Sequence, residues 1–244
     1  MSHIEQSLVR NRLLALLDVD DFHQLSPHLQ PVELPQRFEL ARAGTTIDYA
    51  YFLDSGIGSI VAESPEGQRV EAGLFGFDGF APVTLLLESE NNGFDIFMQL
   101  PGHGYRIEAS VFGQQLAALP RFEKLLRRYV QTLTTQTAFT ALSNAVHHID
   151  ERLARWLLMC HDRVEGDEIA ITHEFLSLML AVRRPSVTTA LHVLEGNLFI
   201  KNLRGTIIIR DRDMLEAFAA DVYGKPEEEY RRLIGRYGKS KTWG

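Results

Sequence analysis

The stretch Leu176 to Gly196 reads "LSLMLAVRRPSVTTALHVLEG". An apolar helical run ends in a short turn, Ala181-Val182-Arg183, and a second helical run begins at once. Pro185 suits the first turn of that second helix, and Gly196 suits its end. Val187, Leu191 and Leu194 recur at the 4 and 3 spacing of one buried helix face. Arg184, Pro185, Thr188, Thr189 and His192 are then left on the outer face.

The segments around this pair complete an outline. "IDERLARWLLMCHDRV" is an amphipathic helix with Leu153, Trp156, Leu157 and Cys160 on one face. "DEIAI" is a short strand, and Thr172 is a good N-cap for "HEFLSLML". After Gly196 come two short strands, "LFIKN" and "TIIIR", joined by "LRG". Helix, strand, helix, turn, helix and hairpin make a winged helix-turn-helix, whose second helix enters the major groove of DNA.

The residue chemistry agrees. An arginine such as Arg184 bonds guanine O6 and N7 with two parallel donors. Arg183, at the turn, is placed for a phosphate. Thr188 and Thr189 offer either a hydroxyl or a methyl, and His192 reaches a phosphate or a base. Thr172, with His173, opens a helix whose backbone N–H groups suit phosphate. Ser186 lies in the first turn of the reading helix. Lys201 and Arg204 sit on the wing, where backbone contacts are expected. The competing reading is a helical hairpin with solvated arginines.

The 244 residues carry a formal charge of −7, which at first opposes a nucleic-acid partner. The acid excess is local. Residues 1–149 hold 10 Lys+Arg against 17 Asp+Glu, whereas residues 150–212 hold 9 of each. Whole-chain charge speaks to solubility more than to a docking face. The single cysteine, Cys160, excludes an internal disulfide and a four-cysteine metal site. No apolar run approaches the ~18 residues of a membrane span, and the N-terminus lacks a signal-peptide pattern. A cytoplasmic address is expected.

Upstream, the texture differs. From Val32 to about Ile107, short Tyr-, Phe-, Ile- and Val-rich runs alternate with turn signals, which predicts a small sandwich or barrel. Ile57–Glu63 and Gln68–Leu74 read as a hairpin around Ser64-Pro65-Glu66-Gly67. A long helix then runs from Pro120 or Arg121 to about His147. Leu126, Val130, Leu133, Thr137 and Thr140 follow a heptad seam on it, beside a stripe of Leu125, Tyr129, Thr132, Gln136 and Phe139. Two apolar faces predict that the seam packs on a second copy of the chain; the competing reading is a long helix lying across its own barrel.

In the order barrel, long helix, winged helix, the chain resembles the Crp/Fnr family of bacterial transcription regulators, from about residue 10 to 212. The strongest match is "ITHEFLSLMLAVRRPSVTTALHVLEGNLFI…RGTIIIRD", similar to the family's "ITRQEIAxxxGxSRETVxRxLxxLExxGLI". The resemblance implies an α+β chain in four parts. These are an effector-sensing, cyclic-nucleotide-binding-like β-barrel or double-stranded β-helix over 1–119, a dimerisation helix over 120–148, a winged helix-turn-helix over 149–212, and an extension over 213–244. It implies that Thr172 contacts phosphate and Arg184 contacts a base. Pro185 stands where many members carry a base-reading Glu, and Thr189 where many carry a second base-reading Arg, so a different target sequence is implied. Double-stranded DNA, a homodimer and RNA polymerase are the partners implied, with an effector of unspecified identity.

"DYAYFLDSGIGSIVAESPEGQRVEAGLFGFDGF" is similar to the family's sensor segment. The turn Phe77-Asp78-Gly79-Phe80, with Thr84, is expected at the rim of an effector pocket. The departure lies in the phosphate site: no Arg occurs between Arg69 and Arg106, and a buried cyclic phosphate needs a cation or a nest of donors. Neither a cyclic nucleotide nor another cofactor is therefore expected. His103 is the sole histidine of the barrel segment, too few for cupin-type metal catalysis, so the chain does not read as an enzyme. His147, His148 and His161 near the hinge read as solvated or capping residues. The alternative function is a cyclic-nucleotide- or other small-ligand-binding regulatory module acting through protein partners.

Overall fold

The computed structural model of the chain describes residues 4–219, 221 and 223–239. They gather into two compact units. The first comprises the residues up to Ala62 with Leu74–Gln131; the second comprises Glu63–Gly73 with the residues from Thr132 onward. Strand β5 (Arg69–Phe75) and helix α4 (Pro120–Val146) pass from one unit to the other. The units thus do not follow the boundaries drawn from sequence, because the hairpin tip groups with the C-terminal residues.

The first unit opens with α1 (Arg12–Ala15) and α2 (Val19–Leu25). Strands β1 (Gln30–Leu34), β2 (Glu39–Ala41), β3 (Tyr49–Leu53), β4 (Ile57–Glu63), β5, β6 (Phe80–Ala81), β7 (Asp95–Leu100) and β8 (Gly102–Glu108) follow, then α3 (Ala109–Ala118). The strands form two four-stranded sheets, in the orders β1-β8-β3-β6 and β2-β7-β4-β5. This is the strand order of an eight-stranded jelly roll, the double-stranded β-helix expected from sequence. The expected barrel is not closed, since no ladder joins the two sheets into one cylinder. The β4–β5 hairpin turns where the sequence predicts, with Gly67 at φ +79° and its N–H donating to the Ser64 carbonyl at 2.8 Å.

The core of this unit is aromatic. Phe80 stacks on Phe52 at 5.6 Å and contacts Phe112 and Tyr129 at 5.9 and 5.5 Å. Phe122, from the first turn of α4, completes the cluster. Large buried rings dominate such a core because each removes about 150–250 Å² from water.

Helix α4 departs from the sequence expectation. Leu126 is fully buried and Leu133 nearly so, within the single chain. Val130 and Thr140 are half-buried, and only Thr137 is exposed. In the second stripe, Tyr129, Thr132 and Gln136 are buried. Leu126 and Leu133 of the first stripe and Tyr129, Thr132 and Gln136 of the second are therefore covered within the single chain, and the seam drawn along Leu126, Val130 and Leu133 is not wholly an outer face. Spacing identifies apolar stripes but not which surface covers them. The exposed stripe is a third one: Thr134, Ala138, Ala141 and Ala145, flanked by Leu142 and Val146.

The second unit holds α5 (Ile149–His161), β9 (Glu168–Ile169), α6 (His173–Leu180), α7 (Arg184–Gly196), β10 (Ile200–Leu203), β11 (Thr206–Ile209), α8 (Arg212–Phe218) and α9 (Lys225–Leu233). The antiparallel sheet β10-β11-β9 is the wing. The segment read as an extension is built into this unit. Buried Asp162, just after α5, accepts from Arg212 Nη2 at 2.7 Å and from the Tyr223 hydroxyl at 2.6 Å. Its Oδ1 also accepts the Lys239 backbone N–H at 3.1 Å. Glu227 and Arg155 are buried together with Glu71, and Glu71 accepts the Trp156 indole N–H at 2.7 Å. Burial raises the Glu227 carboxyl, the more so beside Asp162, while Arg155 opposes it. Residues 240–244 of the extension lie outside the described residues.

Candidate nucleic-acid interface

The orientation of α7 is set by its buried side. Val187, Leu191 and Leu194 are fully buried and Ala190 nearly so. They fix which residues of α7 remain outside. Arg184, Pro185, Thr189 and His192 are exposed, and Ser186 and Thr188 are half-buried. Arg183 is the N-cap residue of α7, extended at φ −72° and ψ 149° and exposed. Among the described residues, neither Arg183 nor Arg184 has a side-chain hydrogen bond or ion pair. Two cations left uncompensated at a helix start, where the macrodipole is itself positive, favour an anion there.

The turn that delivers this helix is short. Helix α6 is capped by Thr172, whose hydroxyl oxygen accepts the Phe175 N–H at 3.3 Å. It ends at Ala181, which takes a left-handed conformation with φ +51°. Glycine adopts that conformation at little cost and alanine does not. Arg152 donates from Nη2 to the Leu180 carbonyl, tying the last turn of α6 to α5. Thr172 is exposed and His173 half-buried at the start of α6. Lys201 and Arg204 are exposed on the wing, Arg204 in the β10–β11 turn. The Asn202 N–H donates to Glu195 at 2.9 Å, which fixes that strand to α7.

The threonine hydroxyls of α7 are engaged internally. Thr188 Oγ1 donates to the Arg184 carbonyl at 3.2 Å and Thr189 Oγ1 to the Pro185 carbonyl at 3.1 Å.

The expected effector rim has a different character. Phe80 belongs to the aromatic core and is not a rim residue. Asp78 is buried and accepts the Gly76 N–H at 2.8 Å. A Cβ on Gly79 would lie 2.1 Å from the Tyr129 hydroxyl oxygen. Fully buried Asn11 donates to the Gly79 carbonyl at 2.8 Å and the Leu53 carbonyl at 3.0 Å. Phe77 and Thr84 are half-buried, and Thr84 donates to Asn92 at 3.0 Å. The turn is stitched into the core, a role that the sequence gives no means of reading from Asn11.

The hinge histidines take structural roles. The His148 N–H donates to Glu151 at 2.8 Å in the capping box of α5. His147 faces Asp221 at 3.4 Å. His161 is buried, with Nε2 2.9 Å from Asp167 and Nδ1 2.8 Å from Arg212. A guanidinium only donates, so Nδ1 accepts and the proton sits on Nε2. Burial lowers the pKa of this imidazole, and the nearby Arg212 and Lys239 charges lower it further against the opposing pull of Asp167. Burial likewise raises the Cys160 thiol. His103 is exposed and pairs with Ser55. Among the described residues, no cluster of His, Cys, Asp and Glu is arranged to hold a metal ion, and no helix is long and apolar enough to cross a membrane.

Comparison with known proteins joins these observations. Residues 151–218 match the family model of the Crp-like helix-turn-helix domain. FixK2 from Bradyrhizobium japonicum superposes with a TM-score of 0.67 at 14% identity, over 79% of this chain and 98% of its own. A Eubacterium rectale protein described as a transcriptional regulator of the crp/fnr family gives 0.65 at 18% identity, over 85% and 97%. The c-di-GMP responsive global regulator CLP of Xanthomonas campestris gives 0.64 at 18%, over 79% and 99%. Comparison with curated protein sequences gives no match. Residues 151–218 thus resemble a Crp-like helix-turn-helix domain, and the chain that carries them shares the fold of these regulators.

Proposed function

We propose that the protein is a DNA-binding transcriptional regulator that binds an inverted-repeat operator as a homodimer. The observation that carries the reading is the outer face of α7: Arg183 and Arg184 are exposed and uncompensated at its start, while its buried side is fully packed. Arg184 reads a guanine, and Arg183, Thr172, Lys201 and Arg204 hold phosphates. The second copy docks on the exposed stripe of α4, centred on Ala138, Ala141 and Ala145, whose small side chains admit a close helix pair. Two reading helices then meet successive major grooves about 34 Å apart. The absence of arginine between Arg69 and Arg106, and the packing of the expected rim residues Gly79 and Phe80 against Tyr129, argue against a cyclic phosphate as the effector.

Selection of bound duplexes from a random pool tests this reading. It predicts an enriched inverted repeat whose half-site centres lie one helical turn apart. Cyclic AMP and cyclic GMP at millimolar concentration are expected to change neither the enrichment nor the melting temperature. Failure to enrich any sequence would overturn the proposal.

A further inference from the structure

Threonine on a reading helix has two ways to meet a base edge: its hydroxyl donates or accepts a hydrogen bond, or its γ-methyl packs on the 5-methyl of thymine. The residue type leaves both open. The structure assigns the second way to Thr188 and Thr189, and so assigns thymines to the half-site. This inference rests on the DNA-binding reading above and deepens it by naming the bases that α7 selects.

Three observations carry it. Both hydroxyl protons are committed to carbonyls one turn back, Thr188 to Arg184 at 3.2 Å and Thr189 to Pro185 at 3.1 Å. A hydroxyl so engaged has no proton left for the N7, O6 or O4 acceptors of guanine, adenine and thymine; its oxygen can still accept from adenine N6 or cytosine N4, and the valine variants below separate that reading from the methyl one. The neighbour on the same face, Pro185, is exposed and offers a ring without a donor. The first turns of α7 therefore present one strong polar reader, Arg184, and beside it an apolar strip of a pyrrolidine ring and two γ-methyls. On the major-groove floor, the apolar group that matches such a strip is the thymine methyl. The half-site is a guanine read by Arg184, with thymine methyls within the next few base pairs against Thr188 and Thr189.

The test uses the full chain and the half-site selected by the wild type. Each thymine is replaced in turn by deoxyuridine, which removes the methyl and keeps every hydrogen-bonding group. Burial of one methyl-sized group is worth about 0.8 kcal/mol, or about a fourfold change in affinity. One or more such replacements in each half-site should weaken binding about fourfold. Thr189→Val, which keeps a methyl and loses the hydroxyl, should bind the thymine site as the wild type does. Thr189→Ser, which keeps the hydroxyl and loses the methyl, should weaken about fourfold per half-site and no longer distinguish thymine from deoxyuridine. Thr188→Val and Thr188→Ser should divide in the same way, at a different base pair. Melting temperatures of all four variants confirm that each is folded. If the valine variants lose affinity and the serine variants keep it, the hydroxyls are the readers and the inference is overturned. Indifference to deoxyuridine at every position, or a thymine-free selected half-site, overturns it equally. A wild type that enriches no DNA overturns the underlying function instead, so the two failures are distinguishable.

Discussion

Replacing Tyr223 with Phe removes one oxygen from the junction between α5 and the C-terminal residues. That oxygen donates to Asp162 at 2.6 Å and accepts from Arg212 Nη2. Asp162 is 3% exposed and Tyr223 8% exposed, so water does not replace the lost partner. The ring remains, and with it the Arg212 guanidinium 5.7 Å from the ring centroid. The change removes two charge-assisted hydrogen bonds, but Arg212 keeps its direct bond to Asp162 at 2.7 Å, so the bond donated to Asp162 sets the expected cost. A hydrogen bond to a charged group contributes about 1.5–3 kcal/mol net, and a chain of this size loses about 2–4 °C per kcal/mol. The expected fall in melting temperature is roughly 3–12 °C, with a matching drop in the urea midpoint. The residues of the DNA face do not touch this network, so affinity at a temperature where the variant is folded should be unchanged. A shift below about 1 °C would mean that the C-terminal residues are not held by Asp162, and the claim that they are built into the second unit would fail.

Four further outcomes are expected. Ala141→Glu, on the exposed stripe of α4, should halve the particle mass seen by light scattering without loss of helicity. Leu133→Glu should instead unfold the chain, because Leu133 is buried beside Gly73; an undisturbed dimer in Ala141→Glu would refute the assigned face. His161 has its folded-state pKa lowered below 6.5 by burial, so its stabilising contribution is present above pH 6.5 and is lost as the pH falls through the folded value. From pH 7.5 to 5.5 the wild type should lose up to about 1.4 kcal/mol more stability than His161→Gln, and equal losses in paired urea titrations would contradict this. Ala181→Gly should stabilise the chain by about 0.5–1 kcal/mol, because Ala181 holds a positive φ that suits glycine; a lower melting temperature would refute it.

The parts legible in the sequence are those set by short-range pattern. Val187, Leu191 and Leu194 mark the buried side of α7 by spacing alone, and Thr172 marks the start of α6 by its capping chemistry. Ser64-Pro65-Glu66-Gly67 marks the β4–β5 turn, since Gly67 supplies the positive φ. The parts that were not legible depend on long-range contacts. Helix α4 has three stripes that accept apolar cover, and periodicity does not say which one the chain's own core takes. Phe80 reads as a loop residue beside Asp78 and Gly79, yet it meets Phe52 and Phe112 in the core. Asp162 and Tyr223 are 61 positions apart, and neither residue type signals burial by itself. The apolar character of Thr188 and Thr189 depends on where their hydroxyl protons go, which composition leaves open.

The central claim is that the outer face of α7 reads DNA, and one pair of variants tests it most directly. Arg184→Ala and Arg183→Ala are compared with the wild type on the selected duplex and on random DNA, each at two salt concentrations. The loss of one bidentate base contact costs about 1–3 kcal/mol per half-site, whereas loss of a phosphate contact weakens all sequences alike and flattens the salt dependence. Arg184→Ala should lose its preference for the selected site while keeping its melting temperature and its affinity for random DNA. Arg183→Ala should weaken both duplexes in parallel, with a shallower salt slope. If Arg184→Ala binds the selected duplex as tightly as the wild type, the arginine pair is ordinary surface and the account of α7 is contradicted.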